Sequence, residues 1–120
     1  MAETALTRVV KDGDTTVVVF GTKCKHIDEL IVEQASREVM DAVLAAAPPQ
    51  VILDLSVTEF FGSSFIEVLF RAWNRIQQKP GGKMALVGLG PYCREVLEIT
   101  HLDKLWPMHD TRDAALSAMK

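Results

Sequence analysis

The chain has little of what would commit it to several common functions. Lys and Arg number 13 against 16 Asp and Glu, a net charge of -3, so no basic excess is available for direct nucleic-acid binding. No apolar run approaches the length of a membrane span, which argues against membrane insertion. The start, Met1 to Val10, lacks a signal-peptide pattern, and we expect a cytoplasmic protein. The two cysteines, Cys24 and Cys93, fit neither a metal site nor a Cys-x-x-Cys motif, so reduced thiols are expected. Repeats, low-complexity tracts and linkers are absent, and nothing points to a metal or a cofactor.

What remains is the pattern of a single α/β domain over residues 1–120, long enough for one real core. Leu6 to Val10 and Thr15 to Phe20 flank an Asp12-Gly13 hairpin signal. Residues 21–27 read as a loop carrying Lys23, Lys25 and His26. Asp28 then suits the cap of a helix with Leu30, Ile31, Ala35, Val39, Ala42, Val43 and Ala46 on one face, ended by Pro48-Pro49. Val51, Ile52 and Leu53 form a run suited to a strand covered on both faces. Gly62-Ser63-Ser64 opens a second helix, with Phe65, Val68, Leu69, Ala72, Trp73 and Ile76 inward and Ser64 with Glu67 as a capping box. Met84 to Val87 is a further strand, Tyr92 to Thr100 a helix with His101 at its C-terminal cap position, and Leu105 to Met108 a last strand. Asp110 or Thr111 caps the final helix. The fold class is therefore α/β: a mostly parallel mixed sheet, an antiparallel N-terminal hairpin and about four helices. Loops leaving the carboxyl ends of parallel strands share one edge, so segments 21–27, 56–63 and 88–91 should meet there.

Catalytic signals are weak. Gly62-Ser63-Ser64-Phe65 lacks the second glycine of a nucleophile elbow, and a triad would need His26, His101 or His109 as base. Gly88-x-Gly90 is too short for a dinucleotide fingerprint. Cys24 between two lysines sits where a thiol pKa can fall; with no second signal it reads as an ordinary residue. Trp73 and Trp106 read as core, and Asp54 as a turn residue.

Asp54-Leu55-Ser56, the aromatic Phe60 and the pair Ser63-Ser64 resemble the core of STAS domains, the bacterial anti-anti-sigma factors (anti-sigma factor antagonists) and their relatives. Cys93 to Leu105 resembles the family's later helix and Leu-Asp-Lys-Leu turn. Gly62 stands where the family often has Asp, and Phe65 where it usually has Gly. The resemblance implies a non-enzymatic partner switch in transcription regulation. The protein would bind an anti-sigma factor of the serine-kinase type, and phosphorylation at Ser63 (alternatively Ser64) would end that binding. Lys23, Lys25, His26, Gly62, Ser63, Ser64 and Phe65 are the expected partner-binding residues. Two other readings stand beside it: a STAS subunit of a larger assembly, such as a sensor complex or lipid-transport machinery, and a small serine hydrolase.

Overall fold

The computed structural model describes residues 5–119; the ends of the expected domain, 1–4 and 120, lie outside the described residues. Its sheet begins with the hairpin. β1 (Thr7–Asp12) and β2 (Thr15–Phe20) pair antiparallel, and Asp12 faces Thr15 across a turn in which Gly13 takes φ +61°. That left-handed conformation is the one Asp-Gly favours.

β4 (Gln50–Asp54) then pairs parallel to β2, with Val17 opposite Ile52. β6 (Lys83–Val87) lies parallel on the other side of β4, and β7 (Met108–His109) is parallel to β6, giving the order β1-β2-β4-β6-β7. The helices are α1 (Val32–Ala45), α2 (Ser63–Gln77), α3 (Pro91–Ile99) and α4 (Arg112–Met119). The α/β expectation holds, hairpin and four helices included.

Alternation along β4 explains its unbroken apolar run. Val51 and Leu53 enter a large cluster with Val39, Phe65, Leu69 and Trp106, whereas Ile52 enters a smaller one with Val17, Ala85, Ala115 and Met119. All three β4 residues are fully buried. Of the two tryptophans, Trp106 is fully buried against Phe70, and Trp73 packs on the core's rim.

Three local expectations are corrected. Asp28 does not cap α1: its Oδ1 accepts from Leu30 N–H (2.9 Å) and its carbonyl from Val32 N–H (2.9 Å), an extra turn ahead of the helix. That turn swings Leu30 outward, 90% exposed, off the predicted apolar face. Ser64 is not a cap either, because α2 already begins at Ser63 and Gly62 takes the cap position without a side-chain bond. The last strand lies further on than Leu105 to Met108, since a 3-10 turn over Leu102–Lys104 precedes it. His101, by contrast, does adopt the left-handed cap conformation, φ 63°. Thr111 is the α4 cap, its Oγ1 accepting from Ala114 N–H at 3.1 Å.

Candidate partner-docking site

The three strand-exit segments do meet. Within 21–27, a 3-10 turn (Thr22–Cys24) leads into a two-residue strand, β3 (His26–Ile27), which pairs parallel with another, β5 (Phe60–Phe61). Lys25 C=O accepts from both Glu59 N–H (2.8 Å) and Phe60 N–H (3.2 Å). Thr58, buried, donates its hydroxyl to Cys24 C=O at 2.8 Å. On the other side, Leu55 N–H reaches Val87 C=O at 3.0 Å. Gly88, at φ +72°, lies so close to Ser56 that an added Cβ would come within 2.9 Å of Ser56 Cα. Asp54 ends β4 in a turn, Oδ1 accepting from Ser56 N–H at 3.0 Å, and its Oδ2 lies 3.8 Å from Arg112.

On this frame Ser63 occupies the first position of α2 and is exposed. Among the described residues its hydroxyl has no hydrogen-bond partner. Phe65 N–H, the next but one, is already taken by Gly62 C=O at 3.1 Å. Ser64 differs: its Oγ donates to Glu29 Oε1 at 2.9 Å. Glu29 thus holds one serine of the pair and leaves the other open.

The basic residues behave unequally. Lys25 Nζ and His26 Nε2 lie 3.7 and 3.9 Å from the carboxylate of Glu59, so both side chains, though exposed, turn toward an acid. Lys23 is exposed on the 3-10 turn. Phe65 is a correction: it is fully buried, with its ring 5.7 Å from Phe20 and 5.2 Å from Phe61, and presents nothing to a partner. Its place on the inward face of α2 decides this. Cys24 is the ordinary buried thiol expected of it. Burial, with the nearby Glu38 charge, pushes it up to about 11, outweighing a hydrogen bond from the Gly21 backbone. Burial likewise pushes Cys93 up to about 11.

Sequence reasoning missed an exposed aromatic pair on this edge. Phe60 is 40% exposed and stacks on Tyr92 of α3, with centroids 5.3 Å apart at 30°, while the His26 ring meets Phe60 edge-on at 6.3 Å. Phe60 had carried a signal as the family's aromatic position; Tyr92 had none, because only the fold brings it beside Phe60.

A STAS domain model matches residues 5–115. The chain belongs to the STAS domain family. Within it the chain is of the anti-sigma factor antagonist type. A solved anti-sigma-factor antagonist (STAS) domain protein from Planctomyces limnophilus is 42% identical with a TM-score of 0.90, covering 98% of this chain and all of that one. BtrV of Bordetella bronchiseptica, assigned by name to the anti-sigma factor antagonists, is 31% identical over 75% of this STAS chain and 80% of its own length. The anti-sigma-F factor antagonist RsfB of Mycobacterium tuberculosis is 29% identical over 77% of this chain and 74% of its own. No helix among the described residues is long and apolar enough to cross a membrane.

Proposed function

We propose that this STAS domain is a cytoplasmic bacterial regulator that binds an anti-sigma factor of the serine-kinase type through its strand-exit edge. Phosphorylation at Ser63 ends the binding. The open, exposed hydroxyl of Ser63 at the start of α2, beside a Ser64 held by Glu29, is the observation that carries this reading. A helix N-terminus receives an added phosphate favourably, so the modified protein stays folded. The phosphate brings about -1.5 to -2 charge to the middle of the docking edge, where Glu29 and Glu59 already stand, and a kinase-bound partner is repelled.

The arrangement supports binding rather than catalysis. A hydrolase needs a base hydrogen-bonded to its nucleophile, and no histidine bonds to Ser63 among the described residues. His26 is turned to Glu59, His101 sits in a left-handed cap and His109 ends the sheet on β7.

The test uses a cognate serine-kinase anti-sigma factor and Mg-ATP. Mass spectrometry is expected to place one phosphate on Ser63, and the same samples should lose binding as it appears. Ser63→Ala should bind with or without ATP and fold normally. Phosphate on Ser64 alone would move the acceptor, and binding that persists with no phosphate anywhere would mean a constitutive module. Both results would overturn Ser63 as the switch.

A further inference from the structure

Among the described residues β1 is terminal in the sheet and pairs only with β2. Gly21 N–H donates to Leu6 C=O at 2.9 Å, which fixes Leu6 and, by alternation, Arg8, Val10 and Asp12 as the residues whose main chain faces β2. The main-chain groups of Thr7, Val9 and Lys11 therefore point away from the sheet. Glu38 accepts from Thr7 N–H at 2.8 Å, leaving Val9 and Lys11 as the open positions among the described residues. The usual protections of such an edge are thin. No proline or bulge interrupts the register from Thr7 to Asp12, Val9 is 51% exposed, and Lys11 Nζ is drawn back to Ala47 C=O at 3.1 Å. An open groove runs alongside, lined by Val9, Met40 and Ala45 together with polar residues such as Glu38 and Asp41.

We propose that this edge pairs with the same edge of a second copy of the chain, antiparallel about a two-fold axis through Val10. Charge selects the register. An axis through Arg8 sets Arg8 against itself, one through Lys11 sets Lys11 against itself, and one through Val9 leaves Arg8 facing Val10. An axis through Val10 places Val9 against Lys11 of the second copy in hydrogen-bonded pairs. It also sets Arg8 against Asp12 of the second copy on both sides of the axis, at the closely spaced positions where opposite charges attract most. Asp12 already lies 4.0 Å from Arg112, so each new ion pair extends an existing one. The interface is isologous, as a closed dimer requires.

Sedimentation equilibrium of the whole chain over graded concentrations should show a reversible monomer–dimer equilibrium. Arg8→Asp, which sets two acids face to face, should raise the dimer dissociation constant by at least about tenfold, as should Asp12→Arg. Combining the two reverses both charges and should recover much of the lost dimer affinity, less what Asp12→Arg costs beside Arg112. Val9→Pro removes an N–H that points away from β2, so the hairpin should survive while the dimer is lost. Circular dichroism checks each variant's fold. A monomer at every concentration, a dimer indifferent to Val9→Pro and Arg8→Asp, or a double variant that stays monomeric would each overturn the proposal.

Discussion

Leu53 and Phe60 stand seven positions apart in one strand–loop–strand unit, yet the first is fully buried and the second 40% exposed. The floor of the sheet is held by apolar burial on two faces. The edge above it is held by main-chain hydrogen bonds between short segments: Lys25 with Glu59 and Phe60, Leu55 with Val87. The difference separates stability from recognition. Side chains of the floor decide whether the chain folds, whereas the exposed ones of the edge, such as Lys23, Phe60 and Ser63, are free to face a partner.

The largest effect that would break this contrast lies in the floor. Ile52→Asp places a carboxylate without a partner between β2, β6 and α4, and should cost several kcal/mol of a total of about 5–15 kcal/mol. Chemical denaturation should find little or no folded protein; an unchanged midpoint would mean that the floor does not hold the fold. Phe60→Ala should do the reverse. It gives up a ring stack on Tyr92, lowering stability by at most about 1 kcal/mol, yet anti-sigma factor affinity should fall by about tenfold or more in a titration. Stability lost without affinity would take Phe60 out of the docking surface.

The smallest effect concerns a polar clamp outside both regions. Glu38 on α1 is pushed up by burial, but hydrogen bonds from Leu6 N–H, the Thr7 hydroxyl, Gln34 and Thr7 N–H outweigh that and hold it below its ordinary value. A carboxyl with a depressed folded pKa adds stability that is present above its unfolded value, about 4.3, and lost as pH falls through the lower folded value. Glu38→Gln should flatten that acid limb of a thermal-melt series while leaving its shape near neutral pH unchanged. An acid limb identical to the parent's would assign it to other carboxylates.

Much of the floor was legible because its signals are local or periodic. Asp12-Gly13 marks a turn by backbone preference alone, and Phe65, Val68, Leu69, Ala72 and Ile76 mark a helix face by spacing. The meeting of three loops followed from parallel topology. What escaped depends on partners distant in sequence. β3 and β5 are two residues each, too short for periodicity, and exist because each pairs with the other across 34 positions. Ser64 satisfied a local capping pattern, but Glu29, 35 positions away, takes its hydroxyl. Leu30 fitted the helical spacing and lost its place to a turn set by Asp28. The serine pair was visible in the sequence; the inequality between its two members was not.

The use of main-chain bonds to tie Lys25 to Glu59 and Phe60 has an evolutionary consequence. Bonds between peptide groups survive a change of side chain at any of these positions, provided no proline enters. Duplicated copies of such a gene can therefore diverge at His26, Glu59, Phe60 and Tyr92 without the loops moving. Each descendant inherits the same outline with a different pattern of charge and aromatic surface. Many parallel circuits can then coexist in one cell, insulated from crosstalk by a handful of substitutions on an unchanged frame.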